Sequence, residues 1–355
     1  MALSCGIVGL PNVGKSTLFN ALTKNEIPAE NYPFCTIEPN EGVVWVPDNR
    51  LTQINALVPT QKVIPTAMKF VDIAGLVKGA SEGEGLGNKF LGHIRQVSAI
   101  IHVVRCFEDM DVVHVDNHVN PVSDVETIEY ELCLADLEVA ERAKQKAKKQ
   151  ASKEQMQAWE DITALLMTQS LLTEESVSEE AWGLCQSHQL LMAKPMFYLA
   201  NCNEGLEGPA VDALEAHAAE KGADVIRISS KIEAEIAQLD KDEQALFLSE
   251  LNVTEPGLDK VIREGYKLLD LQTFITAGEK EIRAWTFRRG SSAQMAAGVI
   301  HTDFIKGFIR AEVVSFEDFM SYGGEAGAKE AGKWRLEGKA YEVQDGDVMH
   351  FRVNS

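Results

Sequence analysis

The segment Gly9-Leu10-Pro11-Asn12-Val13-Gly14-Lys15-Ser16 most strongly constrains what this chain can fold into. It matches the phosphate-binding pattern G-x-x-x-x-G-K-[ST], and it lies between a short apolar run at 5–8 and a helix-forming run at 17–22. A strand that leads into a glycine loop and then a helix points several backbone N–H groups, and the positive end of the helix, at one anion. The segment therefore predicts a nucleotide-binding α/β domain.

Different atoms of this loop have different predicted tasks. Lys15 can reach the outer phosphates, which makes it a candidate catalytic residue, and the Ser16 hydroxyl can ligate Mg²⁺. The residues expected to bind the nucleotide phosphates are Asn12, Val13, Gly14, Lys15, Ser16 and Thr17, of which Ser16 is also expected to bind the metal ion.

A second part of the site is predicted at Asp72-Ile73-Ala74-Gly75, which follows an apolar, strand-like stretch at 68–71. A carboxylate at the end of a strand beside the phosphate loop can hold the hydration shell of Mg²⁺. The Gly75 N–H can approach the terminal phosphate with no side chain in the way, so Gly75 is a candidate catalytic residue. Thr36, in a turn-rich segment, is a candidate hydroxyl ligand. The predicted metal ligands are Ser16, Thr36 and Asp72.

Base recognition is predicted at Asn201-Cys202-Asn203-Glu204, after a strand at 197–200. Guanine-selective switches have Asn-Lys-x-Asp at this place, whereas this chain has Cys for Lys and Glu for Asp. An Asn amide presents a donor beside an acceptor, which can pair with N6 and N7 of adenine. The predicted base contacts are Asn201, Cys202, Asn203 and Ser229, and they favour adenine while leaving guanine open.

These motifs together resemble the YchF family of Obg-related P-loop ATPases, or Obg-like ATPases, over essentially all 355 residues. The matching segments are Gly-Leu-Pro-Asn-Val-Gly-Lys-Ser at 9–16, Asn-Tyr-Pro-Phe-Cys-Thr-Ile at 31–37, Asp-Ile-Ala-Gly-Leu-Val-Lys-Gly-Ala at 72–80, Gly-Glu-Gly-Leu-Gly-Asn-Lys-Phe-Leu at 83–91 and His-Thr-Asp-Phe-Ile-Lys-Gly-Phe-Ile-Arg-Ala-Glu at 301–312. The resemblance implies a GTPase-shaped core that prefers ATP, a helical coiled-coil insertion, a C-terminal ubiquitin-like TGS domain and binding to ribosomes.

The predicted hydrolysis machinery departs from the usual switch-protein pattern. Leu76 occupies the position where a Gln often orients the attacking water, so intrinsic turnover is expected to be slow. The resemblance points to His93 as the residue that positions this water, and an imidazole that titrates near neutrality suits the task. The alternative is a helix-surface histidine with no role in hydrolysis.

Two consecutive segments have apolar residues at helical spacing. They are Ile128, Leu132, Ala135 and Val139, and then Trp159, Ile162 and Leu166. Two such helices joined by a polar tip make a protruding arm. The basic run at 142–149 is expected to contact RNA phosphate near the tip, and a merely solvated face is the alternative.

The arm interrupts the predicted nucleotide domain, because the phosphate loop precedes it and the base-reading strand follows it. The expected domains are a nucleotide-binding P-loop domain at 1–120 and 194–276, a helical coiled-coil insertion at 121–193 and a TGS domain at 277–355. The order of elements predicts an α/β domain with a mostly parallel sheet, and the resemblance implies that this domain is a GTPase-like P-loop NTPase. The last eighty residues predict an α+β fold that ends in a hairpin at 341–353.

Composition favours a cytoplasmic protein of several domains. No apolar run approaches the length of a membrane span, and the six cysteines are scattered without metal-binding spacing, which favours reduced thiols. A net charge of −20 argues against indiscriminate nucleic-acid binding. No long heptad seam demands a dimer, so we expect a monomer.

The motifs and the family resemblance together predict a ribosome-associated ATPase that binds Mg²⁺ and ATP, hydrolyses ATP slowly to ADP and phosphate, and acts as a switch in translation or a stress response. One alternative is a nucleotide-gated module for RNA or ribosome binding in which hydrolysis is incidental. Another is a GTPase. A metabolic kinase is disfavoured, because no segment is typical of a phosphate-acceptor site or a lid.

Overall fold

The computed structural model describes residues 3–24, 40–73, 86–109, 118–147, 152–251 and 253–354. The chain divides into two compact units. Unit 1 comprises Met1–Val44 and Lys69–Val261, and unit 2 comprises Trp45–Met68 and Ile262–Ser355.

The strands of the described residues are β1 Ser4–Val8, β2 Glu41–Trp45, β3 Val63–Ile64, β4 Ala67–Asp72, β5 Ala99–Arg105, β6 Met196–Asn201, β7 Val225–Ile228, β8 Leu271–Ala277, β9 Ile282–Arg288, β10 Phe308–Val314, β11 Arg335–Glu337 and β12 Val348–Val353. The helices are α1 Lys15–Thr23, α2 Asn49–Leu57, α3 Leu86–Gln96, α4 Pro121–Ala147, α5 Lys153–Met167, α6 Glu179–Ser187, α7 Pro209–Lys221, α8 Ser230–Ile236, α9 Lys241–Glu250, α10 Gly257–Leu268, α11 Ala293–Ile300, α12 Asp303–Gly307, α13 Phe316–Ser321 and α14 Glu325–Glu330.

Unit 1 is built on a six-stranded sheet in the order β2-β4-β1-β5-β6-β7. The pairs β1–β4, β1–β5, β5–β6 and β6–β7 are all parallel. Every residue of β1, β5 and β6 is buried, as expected for central strands of a parallel sheet, whose apolar runs are continuous rather than alternating. This confirms the predicted P-loop architecture, and it brings the carboxyl ends of β1, β4, β5 and β6 to one edge.

The predicted arm is present as α4 and α5, which pack against each other. Ile128 and Leu132 of α4 are buried, as are Trp159 and Ile162 of α5, in agreement with the helical spacing of these residues. A third helix, α6, also packs on α5 and was not predicted. Its local signal is Ser178, whose side chain accepts a hydrogen bond from the Ala181 N–H and caps the helix.

Buried polar groups tie the first arm helix to the rest of unit 1. The Asp136 side chain of α4 is fully buried, and its Oδ2 accepts a hydrogen bond from the Met192 N–H at 2.8 Å. The Arg95 guanidinium of α3 lies 3.7 Å from Asp136 Oδ1. The Lys194 ammonium donates to the carbonyl oxygens of Arg95, at 3.1 Å, and Val97, at 2.5 Å. These contacts join the arm to the C-terminal end of α3.

Unit 2 contains a mixed sheet in the order β11-β10-β12-β8-β9-β3. β8 and β9 pair antiparallel from Leu271–Arg288 to Ala277–Ile282, and β12 pairs parallel with β8. One side of the sheet packs on Leu51 and Ile54 of α2 and the other packs on α11. The unit is therefore an α+β domain with an apolar core on each face.

The division into units differs from the expected one in two places. β8 lies in the sheet of unit 2, whereas the predicted boundary at 276/277 assigned it to the nucleotide domain. Residues 45–68 also belong to unit 2, because α2 covers its sheet and Val63 of β3 pairs with Ile282 of β9. Pairing between segments this far apart in the chain leaves no local sequence signal.

The hairpin predicted at 341–353 is wrong in its first half. The buried Asp347 carboxylate accepts hydrogen bonds from the Tyr341 hydroxyl, at 2.8 Å, and the Gln344 N–H, at 2.9 Å, which curls this segment into a loop. Only one isolated bridge, between Ser292 and Glu342, remains there. β12 instead pairs antiparallel with β10.

The helices of the described ranges include none with the length and apolar character needed to cross a membrane.

Asp136 generates a prediction about stability and pH. Burial raises its pKa from 3.8 to about 6, against the opposing effects of the Leu191 and Met192 N–H groups, Arg95 and Lys194. The folded protein therefore holds this proton more tightly than the unfolded chain does, so the contribution of Asp136 to the free energy of unfolding falls as the pH rises from about 4 to about 6. We expect Asp136→Asn to remove this decline, which amounts to on the order of 3 kcal/mol at most.

Denaturant titrations of the two proteins across this pH range measure the difference. Asp161→Asn, on the exposed face of α5, is the matched control and should follow the parent protein at every pH. Parallel stability curves for the parent and Asp136→Asn would contradict the prediction.

Candidate nucleotide-binding site

The phosphate loop connects β1 to α1 and has the backbone that an anion site requires. Gly14 has φ 98° and Asn12 has φ 61°, both in the left-handed region. A Cβ atom on Gly14 would lie 2.2 Å from Asn201 Nδ2, so only glycine fits there. Gly14 caps α1 without a side-chain hydrogen bond, and the first turn of the helix has no acidic residue. The N-terminal N–H groups of α1 are thus left for an anionic ligand.

Lys15 and Asp72 are two charged groups that lie near each other at this loop. Lys15 is only 7% exposed, and its ammonium donates to the Leu10 carbonyl oxygen at 2.8 Å. Burial lowers the pKa of Lys15, and the nearby Asp72 carboxylate opposes this. Burial raises the pKa of Asp72, opposed by Lys15 and by the hydrogen bond from Ser16. Each charge thus offsets part of the desolvation cost of the other.

Ser16 and Asp72 fit the predicted magnesium site. The Ser16 hydroxyl donates to Asp72 Oδ2 at 3.3 Å, while Asp72 Oδ1 is buried and has no hydrogen-bond partner among the described residues. A buried carboxylate oxygen without a donor is the acceptor that a hydrated cation can satisfy. Thr36, the third predicted ligand, lies outside the described residues, as does the predicted catalytic Gly75.

The Asn201 amide connects backbone segments of the site instead of facing a base with free polar atoms. We call its two hydrogen bonds, to Val13 and Ser230, the brace. Its Nδ2 donates to the Val13 carbonyl oxygen at 2.8 Å, and its Oδ1 accepts from the Ser230 N–H at 2.9 Å. The amide therefore connects the phosphate loop, the end of β6 and the start of α8. This changes the predicted role of Asn201, because the donor and acceptor that were expected to pair with adenine are engaged by the backbone.

A cavity of about 510 Å³ opens beside this brace. Its lining residues are Gly14, Thr17, Phe107, Asp109, Asn201, Cys202, Asn203, Glu204, Gly205, Ser229, Ser230 and Lys231. They include the predicted contacts Thr17, Cys202, Asn203 and Ser229. The exposed side chains of Asn203 and Glu204 have hydrogen-bonding capacity for a ligand, and the buried Ser230 hydroxyl has no hydrogen-bond partner in the part of the chain that the structure describes. The cavity has the size and mixed polarity of a nucleobase and sugar site.

Cys202 contributes little polarity to this cavity. The residue is 4% exposed, its Sγ lies 3.3 Å from the Ala200 carbonyl oxygen, and burial raises the pKa of the thiol to about 11. It therefore stays a neutral thiol. It has neither the long methylene chain nor the terminal charge of the lysine found here in guanine-selective proteins.

Sequence reasoning missed Phe107 and Asp109, which follow β5 and line the cavity. The signal that could have found them is topological. β5 lies between β1 and β6, so the residues just beyond its carboxyl end must face the same edge as the phosphate loop and the base-reading segment.

His93 lies on the exposed side of α3. Within the described ranges, the structure shows no hydrogen bond or ring contact of this imidazole. Its predicted role in hydrolysis thus stays a prediction.

Fold and site together define a P-loop nucleoside triphosphatase of the GTPase-like class. A family model described as 50S ribosome-binding GTPase matches residues 4–136, and the model YchF-GTPase_C, described as a protein of unknown function (DUF933), matches residues 271–354. The Ribosome-binding ATPase YchF of Pasteurella multocida is 56% identical to this chain over 362 aligned residues, and that of Bacillus subtilis is 51% identical over 365, with both chains covered completely in each case. The chain belongs to the YchF family.

Solved structures agree with this assignment. The Schizosaccharomyces pombe YchF GTPase is 36% identical, with a TM-score of 0.89 over 99% of this chain and 97% of that one. A GTP binding protein from Pyrococcus horikoshii OT3 is 21% identical, with a TM-score of 0.62 over 99% of this chain and all of that one, and it shows the fold alone.

The crowding at Gly14 predicts that Gly14→Ala damages both the fold and the site. The added methyl group must displace Asn201 and must hold a left-handed backbone, so we expect a loss of about 1–3 kcal/mol in the free energy of unfolding and weaker nucleotide binding. Denaturant unfolding and calorimetric titration with nucleotide measure the two effects.

Gly183→Ala in α6 is the matched control, because no atom of the described residues lies within 4 Å of its added Cβ. It should leave binding unchanged and stabilise the helix by about 0.5–1 kcal/mol. Normal nucleotide affinity in Gly14→Ala would show that the loop tolerates a Cβ and that the brace is not needed.

Proposed function

We propose that this chain is a ribosome-binding ATPase that uses Mg²⁺ and hydrolyses ATP slowly to ADP and phosphate as a switch in translation or a stress response. The observation that supports it most directly is the brace at Asn201, which joins a phosphate loop to a base cavity that lacks the guanine-selective lysine. The complete alignment with proteins named ribosome-binding ATPases supports the same reading. A cytoplasmic monomer, as expected from the sequence, is part of this proposal.

The phosphate end of the site supplies positive potential from two sources and ligands for a metal ion. The N–H groups of the loop and the first turn of α1 bind anionic oxygens, and Lys15 lies among them. Ser16 and Asp72 would hold Mg²⁺, which when bound neutralises charge on the phosphates. Lys15 donates to the Leu10 carbonyl oxygen, and exchanging this partner for a phosphate oxygen requires only a movement of its flexible end.

Preference for ATP is the finer part of the proposal, because the similar proteins are named both ATPase and GTPase. Asn203 is the predicted base contact whose exposed amide is available at the cavity. An amide can donate to N7 and accept from N6 of adenine, the pairing that asparagine uses for this base elsewhere. Glu204 can accept from an amino group of either purine, so Asn203 is the proposed source of selectivity.

Hydrolysis requires a group that orients water, and His93 is the proposed one. Its exposed position on α3 leaves the imidazole in contact with solvent. A movement of α3 could bring the His93 imidazole toward the phosphates. Turnover would then depend on whatever contact moves α3.

Contacts at the base of the arm connect α3 to the arm helix α4. Arg95 lies two residues after His93 and donates to the Gln189 carbonyl oxygen at 3.0 Å, and its guanidinium faces Asp136 of α4. The end of α3 is also held by Lys194. A displacement of the arm on the ribosome would thus be transmitted to the helix that bears His93.

A second candidate function is a nucleotide-gated module for RNA or ribosome binding, with incidental hydrolysis. The exposed His93, without a contact to the phosphate loop in the described residues, favours it. In both functions the basic residues 142–147 of α4, together with the adjoining 148 and 149 that lie outside the description, are the proposed RNA contact, and unit 2 is the proposed docking domain.

Base selectivity is tested by calorimetric titration with non-hydrolysable ATP and GTP analogues at equal Mg²⁺. We expect the ATP analogue to bind more tightly and Asn203→Ala to weaken it about tenfold, because one or two hydrogen bonds to adenine are lost. Asn201→Ala should weaken both analogues alike, since it breaks the brace. Equal or tighter binding of the GTP analogue by the parent protein would overturn the ATPase assignment.

The switch is tested by measuring phosphate release with and without ribosomes. We expect ribosomes to stimulate turnover, and His93→Ala to lower the stimulated rate on the order of a hundredfold while ATP affinity is unchanged. Glu220→Ala, an exposed residue of α7 in unit 1 that lies outside the arm and the nucleotide site, is the control and should leave the stimulated rate unchanged. Ribosome binding that is indifferent to nucleotide, without stimulation, would favour the second candidate function.

A further inference from the structure

Arg105, the last residue of β5, is a buried cation that the phosphate site does not use. It is 2% exposed, although arginine is rarely buried unless it is paired. Among the described residues it donates to two backbone oxygens: Nε donates to the Phe107 carbonyl at 3.1 Å, and Nη2 donates to the Asp109 carbonyl at 3.2 Å. Nη1 is buried with no hydrogen-bond partner within the described ranges. Burying a guanidinium with one nitrogen unbonded costs free energy. This cost indicates that Arg105 has a function beyond filling space.

The guanidinium also lies over the Phe107 ring, with its central carbon 4.5 Å from the ring centroid. One side chain therefore fixes Phe107 twice, through the backbone carbonyl and through the aromatic face. The bond to Asp109 extends this hold to the end of the segment that lines the cavity. Few other side chains could do this, because the contact needs a planar fork with donors on separate nitrogens.

Phe107 borders the base cavity on the side supplied by β5. The parallel register places Arg105 beside Asn201, and the Cys106 N–H donates to the Asn201 carbonyl oxygen at 2.8 Å. The segment that bears Phe107 therefore starts from the same residue that braces the phosphate loop. Phe107 is the aromatic residue among those that line the described cavity, and a planar base can stack on such a ring.

We propose that Arg105 is a positioning residue for the nucleobase: it holds Phe107 in the orientation on which the purine ring of the bound nucleotide stacks. The proposal rests on the proposed nucleotide function and deepens it, since it assigns base affinity to a residue that does not touch the phosphates. Arg105 acts through Phe107, and the phosphate loop binds its anion without it.

Calorimetric titrations with ATP, GTP and inorganic tripolyphosphate, at equal Mg²⁺, test this on the full chain. The proteins are the parent, Arg105→Met, Arg105→Lys, Phe107→Leu and the double variant Arg105→Met with Phe107→Leu. We expect each single variant to bind ATP on the order of tenfold more weakly, with tripolyphosphate affinity unchanged because that ligand has no base. Arg105→Lys should resemble Arg105→Met, since an ammonium cannot bond both carbonyls and cover the ring.

The double variant gives the readout that a purely structural role would not move. If Arg105 acts through Phe107, the two losses are not additive and the double variant binds ATP like Phe107→Leu alone. Additive losses, a parallel loss of tripolyphosphate affinity, or wild-type ATP affinity in Arg105→Met would overturn the proposal. Unchanged ATP and GTP affinity in Phe107→Leu would overturn it without any Arg105 variant, should those fail to fold.

Failure of the proposed function has a different signature. If the parent protein binds GTP in preference to ATP, the ATPase assignment falls, while the coupling between Arg105 and Phe107 is still measured with GTP in the same set of proteins.

Discussion

The site depends on the amide of Asn201, which holds three segments of the chain together at the edge of the sheet. Its Nδ2 bonds the Val13 carbonyl and its Oδ1 bonds the Ser230 N–H, so the phosphate loop, the end of β6 and the start of α8 share one anchor. The fit is close, because Gly14 has no room for a Cβ against the same amide. A buried amide with both functions satisfied is rigid, and its loss would leave buried backbone groups without partners. Phosphate binding and base binding are thus positioned by the same side chain.

Burial of charge shapes the chemistry around this anchor. Lys15 and Asp72 lie near each other beside the loop. Burial lowers the pKa of Lys15 and raises that of Asp72, so the attraction between the two charges offsets only part of their desolvation cost. Charges whose desolvation cost is only partly offset are suited to a ligand site. A phosphate can supply the missing partner of Lys15, and a divalent cation can supply that of Asp72. Arg105 shows the same principle at the base end, where its buried guanidinium lies over the Phe107 ring and Nη1 has no hydrogen-bond partner among the residues that the structure describes.

The base of the arm is a second place where buried charge connects elements. Asp136 of α4 accepts a backbone N–H and faces Arg95, and Lys194 bonds the carbonyls that end α3. The structure therefore joins the arm to the helix that bears His93 through directional polar contacts. Such contacts resist small displacements and transmit larger ones, which is the property that a switch between a distant surface and a nucleotide site requires.

The sequence by itself determined the parts that depend on local chemistry. The glycine spacing of residues 9–16 fixed the strand, loop and helix around the phosphates, and the apolar periodicity of 128–139 and 159–166 located the arm. The tertiary structure decided the rest, because it depends on contacts between distant segments. Only the parallel register of β5 and β6 brings Arg105 and Phe107 beside Asn201, and only the packed loop shows that the Asn201 amide is already engaged. Likewise, residues 45–68 join the second unit through a helix face and a two-residue strand, whose partners lie more than two hundred residues away.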